Sequence, residues 1–229
     1  MGESYGRFKI GNDEAVMPHI NSCNIACGFH GGDALTIQKT IQLALANNVK
    51  IGAHPSFPDL QGFGRREMNI PAKELTAILK YQIAALKGMT EAAGGALNHV
   101  KAHGSLYNLA AKSKETATVL VEAVIAIDDK LQLFGPPFSV LSAVAKKAGL
   151  AFINEAFADR NYNDDLSLVS RSQKNALIED KKAIFEHVTR ILSGKVKTIS
   201  GTYIGIKADT ICIHGDQENA AEVAEMLNS

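Results

Sequence analysis

Short apolar segments alternate with longer stretches of helical period along the chain, each pair parted by Gly, Pro, Asp or Asn. A β-then-α rhythm of this kind feeds parallel strands through crossover helices, which constrains the chain to an α/β architecture. Strands are expected over residues 22–30, 50–54, 99–103, 131–135, 151–157 and 210–214. Between them, apolar residues recur on single helical faces: Ala34, Ile37, Ile41, Ala44 and Leu45 behind a capping Asp33, then Leu75, Ile78, Leu79, Ile83 and Leu86 behind Pro71. Later stripes are Val119, Leu120, Ala123, Val124 and Ile127, then Ile184, Val188, Ile191 and Leu192, then Ala220, Val223, Ala224 and Leu227. No composition shift marks a linker, so residues 1–229 read as one α/β domain. With 46% hydrophobic residues it can bury a core of barrel size.

Successive side chains of a strand point to opposite faces, and this parity sorts the chemistry. In CNIACGFHGGD, Cys23, Ile25, Cys27 and Phe29 share one face, while Asn24, Ala26, Gly28 and His30 share the other. The thiols lie with apolar residues and away from the histidine, so core cysteines are expected rather than a Cys/His zinc site. Elsewhere His54 goes with Gly52, His99 and His103 with Lys101, and His214 with Cys212 and Asp216. Most strands therefore close at their C-terminal ends on a histidine or carboxylate: His30, His54, His103, Glu155 with Asp159, and His214 with Asp216. In barrels of parallel strands the active site forms at that rim from residues remote in sequence. Four of the seven histidines at equivalent positions are the main sequence argument for an enzyme.

The loops add further charge. HPSFPDLQGFGRR ends in Arg65 and Arg66, either a solvated surface pair or, for at least one of them, a forked clamp for a carboxylate or phosphate. NEAFADRNYNDD offers Glu155 and Asp159 as acid or base and Arg160 as an anion anchor, with structural salt bridging the competing reading. There is no Walker phosphate loop, no G-x-G-x-x-G after a strand, no C-x-x-C pair and no G-x-S-x-G elbow. Lys plus Arg equals Asp plus Glu at 24 each, so no net field favours nucleic acid or an anionic membrane. Three cysteines, the absence of a leader-like N-terminus and the lack of a long apolar run lead us to expect a cytoplasmic protein.

NIACGFHGGD, GAHPSFPDLQGFGRR, VKAHGSLYN, EAFADRNY and ADTICIHGD resemble, in order, the sequence blocks of the LamB/YcsF family. The resemblance implies a seven-stranded β/α barrel of the glycoside hydrolase/deacetylase type. It also implies a reaction, the opening of the lactam of 5-oxoproline to L-glutamate coupled to ATP hydrolysis, performed by a 5-oxoprolinase in which this chain is the A component beside subunits B and C. Relatives usually carry a strand immediately before the MGES that opens this chain, so the first strand is expected to be missing here, leaving the strand from Ser22 with a free edge. Ala102 and Ser170 stand where the family has proline, and Asp165 where it has glycine, which removes freedom for positive φ there.

On this reading the pocket supplies a general base for water from Asp159, Glu155 or a histidine, and cationic donors such as Lys101 and Arg65 for a developing oxyanion. His54, His103 and His214 shuttle protons or bind a divalent metal; the residues leave both open. Asn24, His30, Arg65, Arg66, Arg160 and Asp216 are the expected substrate contacts. ATP is expected to be shared with the partner subunits. The competing functions are a metal-dependent deacetylase acting on a sugar amide and a non-catalytic assembly subunit.

Overall fold

The computed structural model describes residues 1–228. Five strands, β1 (Ser22–Ala26), β2 (Lys50–His54), β3 (Leu97–Lys101), β4 (Gln132–Gly135) and β5 (Phe152–Phe157), lie side by side in chain order. After a short antiparallel hairpin of β6 (Lys195–Lys197) and β7 (Tyr203–Gly205), β8 (Thr210–Cys212) joins β5. All pairs in the main sheet are parallel, and it curls into a partial barrel of six strands among the described residues.

β1 and β8 do not pair, so the cylinder stays open between them. The N-terminal segment crosses the upper end of that gap. The amide of Ala26 donates to Met1 O at 3.0 Å, the Met1 amino group donates to Asn24 O at 3.1 Å, and Gly11 lies against Gly215 O beyond β8. A Cβ on Gly11 would stand 2.5 Å from that oxygen.

The helices sit outside the sheet: α1 (Asp13–Val16), α2 (Ala34–Ala46), α3 (Ala72–Ala92), α4 (Gly104–Lys112), α5 (Lys114–Ile127), α6 (Val140–Lys147), α7 (Lys181–Leu192) and α8 (Ala220–Asn228). Asp33 caps α2 as expected, accepting from the Thr36 amide at 2.8 Å. The buried face of α3 carries Leu75, Leu79, Ile83 and Leu86, each worth about 1.5–3 kcal/mol in apolar burial. α5 packs Val119, Leu120, Ala123 and Val124 against α3 and α6. None of the described helices is long and apolar enough to cross a membrane.

Several expected boundaries move. β1 ends at Ala26, four residues short of His30, because Gly28 and Gly32 take φ of 87° and 82° and turn the backbone. Phe29 consequently leaves the core face and packs on Tyr81. β3 stops at Lys101, so His103 is the residue preceding the first turn of α4. β8 stops at Cys212, two residues before His214. Leu192, expected on the buried face of α7, is 71% exposed at its last turn, and Ala34 at the first turn of α2 is also exposed. The hairpin β6–β7 is absent from the expected strands, since three-residue strands carry no readable period. Positive φ near Asp165 falls one residue on, at Leu166 with φ of 63°.

Candidate active site

The polar residues of β3, β5 and β8 meet inside the partial barrel. Lys101 Nζ lies 2.7 Å from Glu155 Oε1 and donates to Cys212 Sγ at 2.9 Å. Burial disfavours the lysine charge, but Cys212 and Glu155 outweigh it and hold its pKa above the ordinary value. The Cys212 thiol is pushed up to about 12 by burial, with Lys101 pulling against it. Two buried groups here, the Tyr107 hydroxyl and Glu155 Oε2, have no partner within full hydrogen-bond distance, and the Tyr107 hydroxyl and the Glu155 carboxylate are near enough to interact weakly with each other. Burial, then the Glu155 charge, keep the Tyr107 phenol protonated. Buried polar groups are nearly always satisfied by protein or ordered water, so this donor and acceptor on one cavity wall are available to whatever enters the cavity.

Next to this group, Asn24 Oδ1 lies 3.0 Å from His99 Nε2. His99 rests over Gly52, where a Cβ would come within 2.1 Å of Nε2, and it stacks on Phe134. Burial, then Lys101, push its pKa down to about 3, so the ring is neutral. Gly52 is thus required by a side chain on the neighbouring strand, not by its own backbone.

Three histidines cluster at the rim. The His30 and His103 rings stack at 3.7 Å between centroids, and His54 meets both edge-on. His54 Nδ1 lies 2.7 Å from Lys101 O, His103 Nε2 lies 2.8 Å from Phe63 O, and His103 Nδ1 lies 3.1 Å from His54 Nε2. Glu3 approaches from the N-terminal segment, with Oε1 3.3 Å from His30 Nε2 and 4.0 Å from His103 Nδ1. Burial would raise the Glu3 carboxyl, yet the Met1 amino group and His30 hold it well below the usual carboxylate range. Burial and mutual repulsion keep His54 and His103 neutral.

The loop over this cluster is built for close approach. Gly64 has φ of 64° and would bring a Cβ within 2.8 Å of His103; Gly104 would bring one within 2.4 Å of Gly64 O. Phe63 holds φ of 55°, a strained value for an aromatic residue, and that conformation carries the carbonyl that meets His103.

On the opposite side, Asp159 accepts from the His214 amide at 3.1 Å and from Gln217 Nε2 at 2.7 Å, and both its oxygens lie 2.9 Å from His214 Nδ1. Burial would raise the Asp159 carboxyl, but His214 and these hydrogen bonds bring it below its ordinary value. The carboxylate only accepts, so His214 Nδ1 carries the proton that binds it. Arg65 Nη2 pairs with Asp216 Oδ2 at 2.6 Å. Arg160 is pushed down to about 10 by burial, then by Arg171, and spends two N–H groups on Ala176 O and Val169 O.

One open cavity of about 1170 Å³ is lined by Glu3, Asn24, His54, Arg65, Lys101, His103, Glu155, Arg160, His214 and Asp216. Three expected site residues lie outside its lining. Asp159 stands behind His214, bound to its amide and its Nδ1. His30 stands behind His103 and Glu3, 1% exposed. Arg66 turns away to the surface and pairs with Asp59 of its own loop, so of the two arginines only Arg65 lines the cavity. Glu3, Tyr107 and Arg171 are polar cavity residues that the sequence reading does not reach, and Cys212 enters it only as a face-sharing neighbour of His214. Cys23 and Cys27 are core thiols, both pushed to about 12 by burial.

A parallel α/β partial barrel with histidines, carboxylates, a buried lysine and arginines at its C-terminal rim has the architecture of a barrel enzyme. The whole of residues 1–229 matches the LamB/YcsF family, and the chain belongs to it. It is 49% identical to the A subunit of 5-oxoprolinase from Alkaliphilus metalliredigens over 228 residues, covering 99% of this chain and 89% of that one. The corresponding 5-oxoprolinase chain of Tolumonas auensis is 48% identical, over 100% and 92% of the two chains. Among solved structures, the crystal structure of a lactam utilization protein from Thermus thermophilus superposes with a TM-score of 0.93 at 43% identity, covering 100% of this chain and 92% of that one.

Proposed function

We propose that this chain is the ring-opening hydrolase component of an ATP-dependent 5-oxoprolinase, converting 5-oxoproline to L-glutamate with partner subunits B and C. The observation that carries the reading is the buried Lys101–Glu155 pair beside two groups short of a full hydrogen bond, Glu155 Oε2 and the Tyr107 hydroxyl. A lactam presents a donor and an acceptor side by side, its N–H and its C=O. Glu155 Oε2 suits the N–H, while the Tyr107 hydroxyl and Lys101 suit the carbonyl oxygen and the negative charge of the phosphoryl group it receives. Arg65, Arg160 and Arg171 line the same cavity and suit the substrate carboxylate.

His214, held by Asp159, is the base: Nε2 takes a proton from water as its oxygen bonds to the carbonyl carbon. The carbon–nitrogen bond then breaks, and the ring nitrogen leaves with a proton as the amine of glutamate. An amide carbon is a poor electrophile. Before water attacks, transfer of the γ-phosphoryl group of ATP to the carbonyl oxygen, with ADP leaving, activates the carbon; breakage of the carbon–nitrogen bond then leaves an acyl phosphate, which a second water hydrolyses to carboxylate and phosphate. On this reading the partner subunits share in nucleotide handling, with which the lack of a Walker phosphate loop in this chain is compatible. Closure of the cylinder by a seventh strand between β1 and β8 belongs to the same reading, supported by the pairing of Met1 with Ala26 on the free edge of β1.

The test is reconstitution with the partner subunits. Glutamate formation from 5-oxoproline that requires ATP, and that the chain alone does not perform, is expected. A complex without that activity, or a chain that by itself releases acetate from N-acetylated sugars without ATP, contradicts the proposal.

A further inference from the structure

His54 and His103 oppose each other in a way that neutral imidazoles do not tolerate. The partners of His54 Nδ1 and His103 Nε2 are the carbonyl oxygens of Lys101 and Phe63, which only accept hydrogen bonds. Both nitrogens must therefore carry the proton. The two remaining ring nitrogens, His54 Nε2 and His103 Nδ1, face each other at 3.1 Å, too close for two lone pairs without a proton or a cation between them. A carboxylate oxygen of Glu3 stands 4.0 Å from His103 Nδ1 on the same side. One ligand atom from each of the three lies within 4.8 Å of the others.

We propose that Glu3, His54 and His103 form a binding site for one divalent metal ion of the zinc class, with a coordination position open to the cavity. Two nitrogens bound to zinc at a tetrahedral angle stand about 3.3 Å apart, close to the observed separation. Both rings already make the hydrogen bond from the remote nitrogen to a carbonyl that orients metal-binding histidines and raises their basicity. Two imidazoles and one carboxylate are the donor set of a catalytic zinc site with a free position. All three residues line the cavity, so an ion held there would stand at the wall of the substrate space. Phe63 and Gly64, in left-handed conformations, are what place the second of those carbonyls. The inference goes beyond the lactam reading and does not depend on it, because a deacetylase or a non-catalytic partner chain with these residues would bind the ion equally.

The chain alone, stripped with chelator, is titrated with Zn²⁺ by calorimetry and with Co²⁺ by visible absorption. One equivalent of each is expected, with cobalt d–d bands of a four- or five-coordinate site. H54Q and H103Q are expected to weaken binding at least about 100-fold and E3Q at least about 10-fold. H214Q, which removes another rim imidazole outside the cluster, is expected to bind as the parent does. Circular dichroism of each variant separates lost ligation from lost fold, and if H54Q or H103Q fails to fold, E3Q decides. Absence of a one-to-one site in the parent chain, or uptake unchanged in E3Q and the histidine variants, overturns the proposal. So does equal loss in H214Q. The readout is metal uptake, so its failure leaves the ring-opening assay unaffected.

Discussion

Lys101 and Glu155, from strands β3 and β5, hold each other at 2.7 Å with both side chains almost wholly out of water. Removing one partner of such a pair strands the other charge, which costs about 3–5 kcal/mol, whereas replacing both with apolar residues is often neutral. K101M is therefore expected to lower unfolding free energy by about 3–5 kcal/mol, and K101M/E155L to recover most of it. Denaturant titration of the parent, both singles and the double checks this; equal stability of K101M and the parent would show that the pair is not desolvated.

Asp159 receives three donors and is held below its ordinary carboxylate pKa by them, against burial. A folded-state pKa below the unfolded one contributes stability that is fully present above about pH 4, the unfolded value, and is lost as pH falls through the folded value. The acid limb of stability should accordingly flatten in D159N compared with the parent. Because Asp159 acts through His214, D159N is also expected to lower kcat of the reconstituted enzyme at least about 100-fold with little change in KM. A changed KM with unchanged kcat would remove the positioning role.

Arg65 and Arg66 are neighbours in sequence with divergent surroundings. Arg65 lines the cavity beside Asp216, whereas Arg66 is tied to Asp59 outside it. R65A is expected to raise KM for 5-oxoproline at least about 10-fold, and R66A to leave KM alone while making the 55–66 loop more open to proteolysis. Equal effects of the two on KM would count against this division.

Gly64 sits under His103 with no room for a side chain and with positive φ. G64A is expected to cost about 1–3 kcal/mol and to displace the His103 ring, seen as shifted imidazole resonances by NMR. Parent-like stability and unshifted resonances would mean that the loop yields without disturbing the cluster.

The strand order and the rim chemistry are legible in the sequence because parallel strands carry apolar runs and end in polar residues at one height. That rule brings His54, Lys101 and Glu155 to the cavity from separate strands, while His103 and His214 reach it two residues beyond the ends of β3 and β8. His30 reaches the cluster for a different reason than the one expected: not strand parity, since β1 has already ended, but the turn that Gly28 and Gly32 impose. Glu3 is invisible because MGESYG has no period, and only the folded N-terminal segment brings its carboxylate to the histidines. Tyr107 projects from the first turns of α4 and Arg171 from a long loop, so no spacing rule relates either of them to Lys101 or Arg160. The role of Gly52 is unreadable too, being set by the His99 ring on the neighbouring strand.

Whether the Lys101–Glu155 pair and the Tyr107 hydroxyl beside it open the lactam is decided by ATP-dependent glutamate formation from 5-oxoproline in the reconstituted complex carrying E155Q, which preserves shape while removing the carboxylate. A loss of at least about 100-fold in kcat/KM is expected, about 2.7 kcal/mol of transition-state stabilisation, with the complex still assembled. An assembled E155Q complex turning over at the parent rate would refute that role.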